Sequence, residues 1–172
     1  GLNSGTDALT LALHLYGVKR GDEVITAPNS FIASAAAIIH LGAKPVFVDV
    51  KEDQNIDEKK IEKNITKKTK AIMPVHLTGR MCSMDKIDKI SKKYNIPIIE
   101  DCAQSIMSKY KGKMAGAWGE VGCFSAHPLK NLNAAGDAGY LTTNNKTIFK
   151  KAKSLRTHGM NENRNDVRNF GT

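Results

Sequence analysis

Residues 96–105 have the sequence Ile-Pro-Ile-Ile-Glu-Asp-Cys-Ala-Gln-Ser, and this stretch decides the fold. Residues 96–100 form a short and largely apolar run, which is typical of a strand that is buried on both faces. The run ends at a carboxylate, Asp101, after which small and polar residues follow. Strands of this kind occur in mainly parallel sheets that helices cover on both sides.

The same alternation of strand and helix continues in both directions along the chain. The hydrophobic pattern predicts strands over residues 23–27, 45–50, 71–75, 96–100, 121–125 and 139–143. It predicts helices over residues 7–16, 31–41, 57–63, 84–94 and 146–155. Together these elements predict an α/β fold, a three-layer sandwich around a mainly parallel central sheet.

Composition narrows the class of protein. The chain has 172 residues, of which 41% are apolar and 25% charged, as expected for one globular domain. No apolar run is long enough to span a bilayer, and the first residues do not resemble a signal peptide. We therefore expect a cytoplasmic protein without a membrane partner. The three cysteines form no C-x-x-C pair and the five histidines are scattered, so we expect neither a disulfide framework nor a bound metal.

The net charge of +9 raises the possibility of a nucleic-acid partner. However, most lysines lie on predicted helix faces and turns, where they are mixed with acidic residues. Aromatic side chains that could stack on bases do not alternate with them. We therefore favour a solvated, lysine-rich surface over a nucleic-acid interface, and the positive charge would also suit an anionic small substrate.

Two stretches could form a site for an anionic, carbonyl-containing ligand. Small residues around Gly5 and Thr6 precede the first helix, whose free N–H groups could bind an anion; ordinary capping by Ser4 or Thr6 is the alternative. Lys130 follows a predicted strand and has apolar and small neighbours. Burial would lower its pKa, and the neutral amine could then form a Schiff base with an aldehyde. A surface lysine after Pro128 is the alternative.

Asp101 has two possible roles at the end of its buried strand. Its carboxylate could pair with a protonated ring nitrogen of a cofactor, or it could cap the helix that follows. A strand-end aspartate, a downstream lysine and an upstream phosphate-type helix start are together the groups that pyridoxal phosphate (PLP) requires.

Five ordered sequence blocks resemble the DegT/DnrJ/EryC1/StrS aminotransferases, which are PLP enzymes that aminate nucleotide-linked keto-sugars. The blocks are Ser-Gly-Thr-Asp-Ala-Leu at residues 4–9, Pro-Asn-Ser-Phe at 28–31, Pro-Val-His-Leu at 74–77, Glu-Asp-Cys-Ala-Gln-Ser at 100–105 and Phe-Ser-Ala-His-Pro-Leu-Lys-Asn-Leu at 124–132. The resemblance implies the large domain of a fold-type I PLP enzyme.

This resemblance implies roles for individual residues. Lys130 would bind the cofactor covalently and carry a proton during the reaction. Asp101 would keep the pyridine nitrogen protonated, and Gln104 would bind near the phenolic oxygen. Phe31 would stack on the ring, although packing in the core is an alternative for an aromatic residue at a helix start.

The resemblance also implies a phosphate site and three further candidate ligands. Ser125 and the turn formed by Gly5, Thr6 and Asp7 would hold the phosphate. His127, His76 and His158 match histidines in the family's sequence blocks and could contact a ligand.

The expected domain organisation follows from the same resemblance. Residues 1–155 would be the PLP-binding large domain, without an N-terminal segment that the family has. Residues 156–172 would connect it to an absent C-terminal small domain.

The predicted activity is transfer of an amino group, from glutamate, to a nucleotide-linked keto-sugar in a homodimer. The family also has a sugar-dehydratase branch, but its members carry histidine at the position of the lysine, so Lys130 argues against it. The remaining alternative is a catalytically inactive fragment, or a phosphate- or nucleotide-binding α/β domain that forms no covalent bond with its ligand.

Overall fold

A computed structural model describes residues 1–160 of the chain. The helices are Gly5–Leu15 (α1), Ala33–His40 (α2), Glu58–Ile61 (α3), Met84–Tyr94 (α4) and Lys146–Leu155 (α5). The strands are Glu23–Thr26 (β1), Lys44–Phe47 (β2), Thr69–Met73 (β3), Ile99–Asp101 (β4), Lys109–Tyr110 (β5), Lys113–Met114 (β6), Val121–Ser125 (β7) and Gly139–Thr142 (β8).

Six strands of the described part of the chain form the central sheet, in the order β2-β1-β3-β4-β7-β8. Hydrogen-bonded ladders define the triplets β2-β1-β3 and β4-β7-β8, and isolated parallel bridges, Ile72 to Ile98 and Val75 to Asp101, join β3 to β4. Between these six strands every pairing is parallel except that of β8 with β7. The carboxyl ends of β1, β3, β4 and β7 therefore lie at one edge of the sheet, where ligands bind in open α/β folds.

Apolar side chains fill both sides of this sheet, which confirms the predicted three-layer α/β sandwich. Leu9 and Leu13 of α1 pack with Ile38 of α2 in one buried cluster. Ile87 of α4 belongs to a second cluster together with Ile56. Because both faces are covered, the central strands are apolar along most of their length.

The structure differs from the sequence prediction at several elements. Residues 45–50 were predicted to form a buried strand, but β2 lies at the edge of the sheet and is half-buried to exposed. An edge position also tolerates Pro45, which has no N–H to donate to a neighbouring strand. The hairpin of β5 and β6 was not predicted because each strand has only two residues. Its turn contains Lys111 and Gly112, both with positive φ.

The first helix begins at Gly5, two residues earlier than the pattern of leucines predicted. Ser4 has extended backbone angles, and its hydroxyl accepts a hydrogen bond from the N–H of Asp7 at 3.0 Å. This contact is a standard N-cap, and it fixes the helix start at the carboxyl edge of the sheet. Within residues 1–160, no helix has the length and apolar character needed to cross a bilayer.

Candidate active site

A cavity of about 390 Å³ opens at the carboxyl edge of the sheet. Its walls come from the start of α1, the segment that leads into α2, and the residues that follow β3, β4 and β7. Of the residues singled out in the sequence, the cavity is lined by Gly5, Thr6, Phe31, Asp101, Gln104, Ser125, His127 and Lys130. Chain folding has thus brought together side chains that are widely separated in the sequence.

One end of the cavity has the properties of an anion site. Ser4 rather than Thr6 caps α1, and among the described residues nothing hydrogen-bonds the Thr6 hydroxyl. The first N–H groups of a helix lack partners within the helix and carry partial positive charge. Ser125 lies against this helix start, since a Cβ added to Gly5 would be 2.7 Å from the Ser125 Cβ. Backbone and hydroxyl donors can therefore converge on a phosphate group here.

Asp101 provides a negative charge in the wall of the same cavity. The residue is 4% exposed. Its Oδ2 accepts a hydrogen bond from the Ser34 hydroxyl at 2.8 Å, and its Oδ1 accepts one from the Ala103 N–H at 3.1 Å. Burial raises the pKa of Asp101, and these hydrogen bonds together with the nearby positive charge of Lys130 partly oppose that rise. A cation placed beside this carboxylate would relieve the cost of its desolvation.

Helix capping does not account for the position of Asp101. The Ala103 N–H does donate a hydrogen bond to its carboxylate, but the residues between β4 and β5 form turns rather than an α-helix. The second carboxylate oxygen is turned towards α2 instead, where Ser34 holds it.

Lys130 lies in the turn after β7 and is half-buried. Its N–H donates to the His127 carbonyl at 2.8 Å, which closes the turn. The side chain lines the same cavity as Asp101, and its positive charge is one of the influences that lower the pKa of Asp101. The lysine therefore does not extend into bulk solvent as a surface lysine would.

Phe31 lines the cavity and is 76% exposed, so packing in the core does not explain it. An exposed aromatic ring at a cavity wall leaves one face free for a flat ligand. Gln104 is also exposed and lines the cavity near the end of β4.

Of the remaining candidates His127, Asp7, His76 and His158, only His127 lines the cavity. Its Nδ1 accepts from the Leu129 N–H at 3.1 Å, and its Nε2 lies 3.9 Å from Asp137. Asp7 lies in the first turn of α1 and does not line the cavity. His76 is completely buried behind the cavity, and His158 is exposed in the turn after α5. The predicted connecting segment 156–172 lies outside the described residues from position 161 onward.

Sequence reasoning missed the serines that support Asp101. The Ser30 hydroxyl donates to Ser34 at 2.9 Å, and Ser34 donates in turn to Asp101. The available signal was the spacing of Ser30 and Ser34, which are four residues apart at the start of an alanine-rich helix and can therefore contact each other. It did not indicate which strand end the helix would face.

Known proteins are similar to this chain in both sequence and fold. The family described as "DegT/DnrJ/EryC1/StrS aminotransferase family" matches residues 1–172. A UDP-N-acetyl-3-dehydro-alpha-D-glucosamine 3-aminotransferase from Acidithiobacillus ferrooxidans is 46% identical over 160 residues, which cover 92% of this chain and 43% of that protein.

Two solved structures show the same correspondence in three dimensions. DesV from S. venezuelae superposes with a TM-score of 0.94 at 38% identity, over 99% of this chain and 46% of DesV. NtdA from Bacillus subtilis, which has the cofactor PMP bound, gives a TM-score of 0.91 at 38% identity, over 99% of this chain and 39% of NtdA. The chain thus spans less than half the length of these proteins. Because the family match extends over its whole length, the chain belongs to the DegT/DnrJ/EryC1/StrS aminotransferase family.

Proposed function

We propose that the protein carrying this chain is a PLP-dependent aminotransferase that moves an amino group from glutamate to a nucleotide-linked keto-sugar. The observation that carries this proposal is the convergence of Asp101 and Lys130 on one cavity that also contains an anion-binding helix start. The names of relatives support the substrate class, because one is a UDP-sugar 3-aminotransferase and another a dTDP-3-amino-3,6-dideoxy-alpha-D-galactopyranose transaminase.

The residues that line the cavity offer a partner for each part of PLP. The phosphate would lie at the start of α1, where Gly5 lets the helix lie against Ser125 and where Thr6 and Ser125 offer hydroxyl groups. The ring nitrogen would face Asp101, and the exposed ring of Phe31 would cover one face of the cofactor. When bound, PLP supplies an electron sink that stabilises negative charge on the substrate carbon.

Asp101 would hold a proton on the ring nitrogen. Burial makes its negative charge costly, and a cationic ring nitrogen would offset this cost by pairing with it. Ser34 and the Ala103 N–H keep the two carboxylate oxygens in fixed directions. The position of the charge is therefore set before the cofactor arrives, which is what electrostatic preorganisation requires.

Lys130 would hold the cofactor covalently through its amine. Once the amino donor has taken its place, the free amine would accept the proton that the substrate carbon loses and would deliver it to C4′ of the cofactor. Its half-buried place in a turn closed by His127 limits the directions in which the side chain can extend. His127 itself lines the cavity beside it and would contact the phosphate end or the substrate.

A second copy of the chain would complete the site. Large apolar side chains are exposed around the cavity, among them Phe31, Ile32 and Leu129 at 76%, 69% and 86%. Exposed apolar patches of this kind mark interaction surfaces. We propose that they are covered in a homodimer, and that the protein works in the cytoplasm, where its three buried free cysteines remain reduced.

Reductive labelling tests the function directly. The protein carrying this chain is incubated with PLP, reduced with borohydride and digested, and the modified peptide is identified by mass spectrometry. We expect one dominant adduct, on Lys130, that Lys130→Ala abolishes. Lys92→Ala is the matched control, because its ammonium is exposed and pairs with Asp88, and it should leave the label unchanged.

The same experiment separates the competing assignments. Labels spread over surface lysines, or no label at all, would contradict the aminotransferase assignment. Such a result would favour a phosphate-binding α/β domain that does not bond covalently to its ligand. Amino transfer is measured in a separate assay. Glutamate and a UDP-linked keto-sugar are added to PLP-bound protein that has not been reduced, and the aminated sugar is detected by mass spectrometry.

A further inference from the structure

The carboxylate of Glu100 is buried immediately behind Asp101 and is hydrogen-bonded on all sides. Both Glu100 and His76 are 0% exposed. The Oε1 atom accepts from the N–H groups of Trp118 and Gly119 at 2.8 and 2.6 Å. The Oε2 atom accepts from the Gly116 N–H at 3.0 Å and lies 3.0 Å from the His76 Nε2. Four donors thus replace the hydration that this carboxylate loses on burial.

The hydrogen bonds of His76 fix its tautomer. The Cys82 N–H donates to its Nδ1 at 3.2 Å, so Nδ1 carries no proton. The proton therefore resides on Nε2, which donates to Glu100. Cys102 also approaches this pair closely enough to suggest a metal site. However, both carboxylate oxygens and both ring nitrogens already have hydrogen-bond partners, and burial raises the pKa of the Cys102 thiol well above its ordinary value. A hydrogen-bonded cluster explains the geometry better than a metal does.

The backbone connects this pair to the cofactor cavity. The His76 N–H donates to the Asp101 carbonyl at 3.1 Å, and the Asp101 N–H donates to the Pro74 carbonyl at 2.9 Å. These two bonds hold the end of β4 against the segment after β3. Successive residues of a strand point to opposite faces, so Glu100 points away from the cavity while Asp101 points into it.

The loop that binds Glu100 contains two glycines, Gly116 and Gly119, at positions where a side chain would not fit. A Cβ on Gly119 would be 2.5 Å from the Ile98 carbonyl oxygen, and Gly116 has φ of +77°. Glycine is required at both positions, since a side chain would prevent the N–H groups from converging on the carboxylate. The loop therefore approaches the strand as closely as its backbone allows.

We propose that Glu100 and His76 are positioning residues for Asp101: by fixing the end of β4 from the face opposite the cavity, they set where the Asp101 carboxylate meets the cofactor's ring nitrogen. This inference rests on the proposed function. Neither residue touches the cavity, so their effect is transmitted through the backbone of adjacent residues.

The test compares two buried carboxylates in the protein carrying this chain. Glu100→Gln keeps the size of the side chain, but its amide nitrogen would face the N–H groups of Gly116 and His76. Glu58→Gln is the matched control, since the Glu58 side chain is 5% exposed and pairs with Lys86, away from the cavity. The measurements are thermal unfolding, the dissociation constant of PLP, and the pH midpoint of the bound cofactor's absorbance.

We expect Glu100→Gln to weaken PLP binding by roughly ten-fold and to move the pH midpoint in the same direction as Asp101→Asn. Glu58→Gln should lower thermal stability and leave both cofactor measurements unchanged. His76→Gln retains one donor and one acceptor, so its changes should be smaller but in the same direction as those of Glu100→Gln.

The inference is overturned if Glu100→Gln behaves as Glu58→Gln does and affects stability alone. If Glu100→Gln does not fold, His76→Gln decides the question: unchanged PLP affinity and an unchanged midpoint overturn the inference, and changes in both support it. Failure of the proposed function is a different result, in which the unmodified protein is not labelled on Lys130 at all.

Discussion

The contact between the start of α1 and the end of β7 can be tested by adding one methyl group, through Gly5→Ala. The new Cβ would lie 2.7 Å from the Ser125 Cβ and 3.2 Å from the Ser125 Cα. Carbon atoms in favourable contact are about 3.5 to 4.0 Å apart, so the overlap is about 1 Å. Helix and strand must separate, because the closest atoms belong to a short side chain and to backbone.

The expected cost can be worked out from this overlap. Overpacking of this kind costs about 1 to 3 kcal/mol. Alanine is favoured over glycine in a helix interior by roughly 0.5 to 1 kcal/mol, and less at its first residue. A net destabilisation of about 1 to 2 kcal/mol remains, which for a domain of this size lowers the melting temperature by about 2 to 8 °C. Moving the helix start relative to Ser125 should also weaken PLP binding by roughly ten-fold, about 1.4 kcal/mol.

Gly136→Ala is the matched control. A Cβ at Gly136 would have no atom within 4 Å, and its φ is not in the left-handed region. Both variants are unfolded by heat with and without PLP, and each is titrated with PLP. If Gly5→Ala melts at the same temperature as Gly136→Ala and binds PLP equally well, the close approach of α1 to β7 does not form the phosphate site.

Other predictions concern carboxylates and their donors. Ser34→Ala removes the hydrogen bond to Asp101 and should destabilise the protein by about 1.5 to 3 kcal/mol in denaturant unfolding, since bonds to charged groups are worth that much; a smaller loss would mean that the carboxylate takes another donor. Burial raises the pKa of Asp101, so the folded, PLP-free protein holds this proton more tightly than the unfolded chain. The free energy of unfolding of the protein should therefore decrease as the pH rises through the raised pKa, and Asp101→Asn should remove this decrease. Identical pH profiles of stability for the unmodified protein and Asp101→Asn would refute the prediction. Hydrogen bonds from Lys111 and Tyr110 lower the pKa of Asp85 to about 2, so stabilisation by Asp85 is present above its unfolded pKa of roughly 3.9 and is lost as the pH falls through about 2. Asp85→Asn should remove this acid-dependent step, measured from the NMR shifts of the Tyr110 ring, and an unchanged step would assign it to another group.

Local sequence pattern was sufficient for the main elements because each strand and helix is determined largely by its own residues. The apolar run before Asp101 and the amphipathic residues 84–94 both form the predicted type of structure. The boundaries of the elements depend instead on single contacts. The Ser4 hydroxyl caps α1 and places its first residue earlier than the pattern predicted. The short hairpin around Lys111 has too few residues to produce a periodic signal.

The sequence by itself determined the chemistry available to this protein: a strand-end carboxylate, a lysine after a later strand, and a helix start rich in small residues. It also determined the α/β class, because hydrophobic periodicity is a local property. Only the tertiary structure decided which of these groups face one another. Asp101 and Lys130 share a cavity, whereas His76 is buried behind it and Asp7 lies outside its walls. The physical reason is that strand order and the direction of each side chain result from packing between distant segments, which no local pattern encodes.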